Sequence, residues 1–113
     1  MSLLVHAEIH GLAGRAGELR ALLVQHAAGM RTAPGALAAA AYEPLDAEPG
    51  EFVLDAHWRD EAALRAHYAT PEFTHYLQGV GELLARPSDV TILDVAGSVR
   101  ATADPSMDPT RQG

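Results

Sequence analysis

Apolar and polar positions alternate from Leu3 to His10. Leu3, Val5, Ala7 and Ile9 fall on one side, and Leu4, His6, Glu8 and His10 on the other. A period of two predicts a strand with one apolar face, and Gly11 to Gly14 breaks it. From Arg15 to Arg31 the period lengthens. Leu19, Leu22, Leu23, Ala27 and Met30 recur at helical steps and predict one buried stripe. Glu18 near the start and Arg31 at the end suit the helix dipole. Thr32-Ala33-Pro34-Gly35 ends the helix. Ala36 to Tyr42 carries four consecutive alanines, which favour helix. The run is short and bounded by Pro34-Gly35 and Pro44, so a strand is predicted. Glu51 to Trp58 is a clearer strand, with Phe52, Leu54, Ala56 and Trp58 opposite Val53, Asp55 and His57.

Asp60 is placed to cap a short helix through Tyr68. Thr70-Pro71-Glu72 opens another, with a cap, a first-turn proline and an acid on the dipole. Its stripe is Phe73, Tyr76, Leu77, Val80 and Leu84, and Pro87 stops it. Asp89 to Ala96 reads as the last strand. Residues 1–97 therefore form one domain, and 98–113, small and polar, are expected to be a flexible tail in which Asp104 and Asp108 are solvated. The order β-α-β-β-α-β predicts an α+β fold with one sheet and both helical segments on one side. The other sheet face would be left bare, and a facing sheet from a second copy, a two-fold homodimer, is the physical answer.

Composition narrows the classes. The chain has 113 residues, enough for one domain, and a formal net charge of −7, which argues against nucleic acid as a partner. There is no cysteine, so disulfides, thiolate metal sites and cysteine nucleophiles are excluded. Lysine is absent too, all eight cations being arginine, so no Schiff base can form. No apolar run approaches the ~18–20 residues of a membrane span. The N-terminus lacks a signal-peptide pattern. A cytoplasmic location is expected.

The segment from Trp58 to Tyr76 compresses to W-x3-A-x-L-x-A-H-x2-T-P-x4-Y. This resembles the antibiotic-biosynthesis monooxygenase family of dimeric α+β barrels, especially its quinol-monooxygenase branch. Ala7-Glu8-Ile9 is similar to that family's first strand. The resemblance implies a ferredoxin-like sandwich, a homodimer with facing sheets and a pocket between helices and sheet. It also implies oxidation of a small phenolic, quinol or polycyclic aromatic substrate with O2 as co-substrate and no metal or organic cofactor. His67 matches the family's helix histidine and Tyr76 a tyrosine on the next helix; these are the expected catalytic residues. Trp58 matches the tryptophan ending the third strand, and with Phe73, Tyr68 and Leu54 is expected to shape the substrate pocket. The chain departs from haem-degrading relatives, which use an Asn, Trp and His set. It has no asparagine, His67 falls where their Trp lies, and Leu77 falls near their ligand His. Ala56 stands where many relatives carry a glutamate.

Plainer readings compete. His67 could simply bond a helix-end carbonyl, Trp58 could serve packing, and Tyr76 could be core. His75 lies off the stripe and reads as surface. His6-x-Glu8-x-His10 resembles a two-histidine, one-carboxylate metal set. In a strand, however, the outer histidines start ~13 Å apart, too far for one ion with ligands at ~2.0–2.2 Å. No metal site is expected from the three together. An adjacent pair could still chelate with His57, but the face is assigned to the dimer contact or the pocket edge. Arg86 could cap carbonyls or hold an acidic substrate. Two other functions share the scaffold: a cofactor-free isomerase or cyclase, and a non-catalytic dimeric small-molecule-binding protein.

Overall fold

The computed structural model describes residues 1–102. The chain runs β1 (Ser2–His10), a 3-10 turn (Ala13–Arg15), α1 (Ala16–Arg31), β2 (Ala36–Tyr42), β3 (Glu51–Trp58), α2 (Glu61–Tyr68), α3 (Pro71–Gly81) and β4 (Asp89–Val95). The strands form one antiparallel sheet in the order β2-β3-β1-β4. The α+β, ferredoxin-like expectation holds. Of the expected tail, residues 98–102 carry no regular structure. The remainder, including Asp104 and Asp108, lies outside the described residues. Among the described residues no helix is long and apolar enough to cross a membrane.

The alternating pattern does what it predicts. Phe52, Leu54, Ala56 and Trp58 of β3 are all buried, and their neighbours only half so. They meet Leu19, Leu23, Ala27 and Met30, the stripe of α1. The alanine run of β2 is strand because β3 claims it: Ala39 pairs with Ala56 and Ala41 with Leu54. Small side chains there let α1 lie close over that edge. On the apolar face of β1 only the ends, Leu3 and Ile9, are buried, whereas Val5 and Ala7 between them are half-exposed beneath the helices.

Caps fix the second helical unit. The Asp60 carboxylate accepts from the Ala63 amide at 2.8 Å, and the Thr70 hydroxyl accepts from the Phe73 amide at 3.2 Å. One expectation fails. α3 ends at Gly81, with Glu82 its C-cap, instead of continuing to Pro87. The Leu12 amide donates to the Leu83 carbonyl and the Ala85 amide to the His10 carbonyl, each at 2.8 Å. Strand-like pairing with 10–12 therefore takes up the backbone groups of 83–85, and Gly79 and Gly81 weaken the helix just before it.

Two glycines provide a stability contrast. Gly35 ends the α1–β2 turn at φ 81°, and a Cβ there would lie 2.4 Å from that of Ala63. Gly29 lies in α1 with open space where a Cβ would go. Gly35→Ala should destabilise the fold by at least ~1–3 kcal/mol, and Gly29→Ala should stabilise it by ~0.5–1 kcal/mol. Chemical denaturation of the two variants checks both signs.

Candidate functional site

The half-exposed middle of β1 is the floor of a cavity. It lies between the inner sheet face and the helices and has a volume of about 340 Å³. Its lining contains no arginine, aspartate or glutamate. Val5, Ala7, Leu54 and Ala56 form the floor, and Val80 and Leu84 close one side. All six residues expected at the site, His67, Tyr76, Trp58, Phe73, Tyr68 and Leu54, line it. Leu64 and Tyr68 also border a second depression carrying Glu61, Arg65 and Asp94, so Tyr68 stands between the cavity and a polar approach.

His67 occupies the last turn of α2 and is held by the Thr70-Pro71 junction. The Thr70 hydroxyl donates to the His67 carbonyl at 2.8 Å while capping α3. The imidazole stacks on Trp58, centroids 4.7 Å apart at 30°, and meets Phe73 edge-on at 5.2 Å. Trp58 is itself 1% exposed and carries both roles weighed for it, core and pocket wall. Tyr76 stacks on His26, centroids 3.6 Å apart at 6°. The two imidazoles, His26 and His67, are 5.8 Å apart.

These rings are not tied up by the protein. Among the described residues, the nitrogens of His26 and His67 and the hydroxyls of Tyr68 and Tyr76 make no hydrogen bond to the chain, and all four residues line the cavity. The reading of His67 as a carbonyl-bonded helix-end residue therefore fails. Burial sets the protonation states. Desolvation holds His67 below the usual imidazole range. Desolvation first, and repulsion from His67 second, bring His26 down to about 4. Desolvation also pushes Tyr76 up to about 12 and raises Tyr68. At neutral pH the cavity thus presents two uncharged imidazoles and two protonated phenols. His67 can accept a proton, and Tyr76, which keeps its own, can donate a hydrogen bond.

His26 is not among the residues expected at the site, although the sequence carries a signal for it. It lies three residues after Leu23 and four before Met30, which places a histidine on the edge of the apolar stripe. His75 is exposed, as expected.

The outer sheet face holds a different cluster. His6, Glu8 and His10 do not meet at one point: His6 Nε2 lies 3.7 Å from Glu8, but His6 is outside the group that Glu8 and His10 form. His6 Nδ1 donates to Asp55 at 2.7 Å. His10, 7% exposed, contacts Glu51 at 2.6 Å through Nδ1 and Asp89 at 2.8 Å through Nε2. Hydrogen bonds to Asp89, then Glu51, raise its pKa above the usual range. Arg86 is drawn here rather than to helix carbonyls, its Nη2 3.2 Å from His10 Nδ1. The ligand atoms of Glu8, His10 and Asp89 lie within 4.8 Å of one another, the grouping best able to take a cation. Both ring nitrogens of His10 are already directed at carboxylates, which favours the protonated ring over a metal ligand.

Residues 2–79 match the family described as antibiotic biosynthesis monooxygenase. Rv0793 of Mycobacterium tuberculosis, named as a candidate monooxygenase, is 40% identical over 75 residues, 66% of this chain and 72% of that protein. Its solved structure superposes with a TM-score of 0.80, covering 88% of this chain and all of that one. A structure from Deinococcus radiodurans, described as a candidate antibiotic biosynthesis monooxygenase, is 26% identical with a TM-score of 0.81 and covers 89% and 99% of the two chains. An uncharacterized Synechocystis protein, sll1783, is 33% identical over 66 residues, 58% of this chain, and the match spans only 44% of that longer relative.

The two histidine environments give opposite pH signs. Folding depresses His26 and His67, so their contribution is present above the unfolded value of 6.5 and is lost as pH falls toward about 4. Folding raises His10, so its contribution is present below 6.5 and is lost as pH rises through the raised value. Melting temperature across pH 4–9 should show His26→Phe flattening the acid limb and His10→Gln the alkaline one.

Proposed function

The chain belongs to the antibiotic biosynthesis monooxygenase family, and from that premise we propose that it oxidises a small phenolic, quinol or polycyclic aromatic substrate with O2 and without a metal or organic cofactor. The observation that carries this reading is His67: a neutral, hydrogen-bond-free imidazole on the wall of an apolar, aromatic-lined cavity. A ring substrate packs against the aromatic and aliphatic walls. His67 takes its hydroxyl proton, and Tyr76 donates to a second substrate oxygen. The apolar lining keeps water from competing.

The electrons come from the substrate. The phenolate reduces O2, and recombination forms a carbon–oxygen bond as a hydroperoxide. Loss of the proton on that carbon breaks the O–O bond and leaves a carbonyl, the departing hydroxide becoming water. For a hydroquinone the sum is quinol plus O2 giving hydroxyquinone plus water, and all four electrons accepted by O2 come from the ring. The outer sheet face, with Leu93 47% exposed and Leu4 opposite it, is the surface on which a second copy pairs.

Oxygen uptake with a panel of hydroquinones and anthrones should show one O2 consumed per product. His67→Ala should lower the rate by ~10²–10⁴ without unfolding the protein. The wild-type kcat/KM should rise with pH through a value below 6.5 and then level, since the neutral imidazole is the active form. Conversion without O2 consumption would make the protein an isomerase or cyclase, and binding without conversion a carrier. In sedimentation the wild type should run as a dimer and Leu93→Arg as a monomer.

A further inference from the structure

We infer that His26 is a second catalytic residue of this cavity, a neutral N–H donor that shares one substrate oxygen with His67 and holds the negative charge that His67 creates there. The inference deepens the reading above and rests on it for the reaction. Three observations carry it. The two imidazoles reach the cavity from different helices, α1 and α2, with centroids 5.8 Å apart. Hydrogen bonds of ~2.7–3.2 Å on either side let a single oxygen bridge a nitrogen of each ring. Neither ring spends a nitrogen on the protein. His26 is held flat against Tyr76 at 3.6 Å, so its plane is set before a ligand arrives.

The division of labour follows from charge. The titratable groups lining the cavity are His26, His67, Tyr68 and Tyr76, and no guanidinium or carboxylate joins them. A phenolate formed here therefore has no resident cation to meet. The proton it loses makes one imidazolium. A second beside it would be a like charge at close range in a desolvated site, which is the repulsion already acting on His26 from His67. His67, the less depressed of the two, takes the proton, and His26 stays neutral and offers its N–H. No step consumes His26: it neither gains nor loses a proton, and it stabilises the oxyanion through one charge-assisted hydrogen bond. The ligand class is accordingly a phenol or enol whose ionising oxygen projects from a flat ring.

The test uses 4-nitrophenol, whose ionised form is read directly by its visible absorbance and which needs no O2. Bound to the wild-type protein, it should ionise at a lower pH than when bound to His26→Phe, by about 1–2 pH units for a lost hydrogen bond to an anion. Phenylalanine keeps a flat ring against Tyr76. His26→Gln restores an N–H and should recover most of the difference. In oxygen uptake His26→Phe should lose about 10–100-fold in kcat with KM little changed. Equal ionisation in wild type and His26→Phe, or failure of the folded wild type to bind the probe, overturns the inference. A wild type that shows the shift but consumes no O2 with any substrate overturns the monooxygenase reading and leaves the role of His26 standing.

Discussion

Two half-buried imidazoles on one apolar cavity resist being charged together, and the site is organised by that constraint. Burial removes water from around His26 and His67, and each would repel the other's proton. The cavity therefore rests uncharged, with one vacancy for one proton. Such a site offers no resident cation to an anion that arrives as an anion. It can make one from a neutral acid, because the proton stays beside the charge left behind. That suits the proton abstraction from a neutral, weakly acidic ring proposed above.

The scaffold makes room by combining a few large side chains with many small ones. Trp58 and Phe73 give His67 two aromatic walls. Ala7, Ala56 and Gly81 leave the space they face unfilled. Interiors normally pack with few voids larger than water, so a cavity of about 340 Å³ in so small a domain forgoes dispersion contacts and stability. The tightly packed half of the sheet compensates: Leu19 and Leu23 are fully buried, and Ile9, Ala27 and Phe52 nearly so.

Much of this was legible in the order of residues. Period two wrote β1 and β3, the stripe wrote α1, and Asp60 and Thr70 marked the helix starts, because each signal is local. The end of α3 was not legible. Leu84 continues the helical spacing, yet residues 83–85 pair with 10–12 more than seventy positions away, and a long-range pairing leaves no local trace. The aromatic cluster was readable from Trp58 to Tyr76 because one motif spans it. His26 was not, since it reaches the site from another helix and its only mark was a polar residue on the edge of an apolar stripe. Arg86 misled for the same reason: position suggested a cap, and the distant Glu51–His10–Asp89 group claims the vicinity.

The sheet itself keeps the two histidine chemistries apart. His10 follows Ile9 in one strand, and the pleat sends the two side chains to opposite faces. On the outer face carboxylates meet both ring nitrogens of His10 and favour its cation. On the inner side hydrocarbon and aromatic rings surround His26 and His67 and disfavour theirs. A one-residue slip of β1 against β3 would exchange these faces, carrying Glu8 and His10 toward the cavity and Val5 and Ala7 away from it. The register Val5 to Ala56 and Ala7 to Leu54 is therefore what keeps charge out of the chamber. The neutrality on which the proposed proton abstraction depends is enforced by strand pairing as much as by the cavity's own walls.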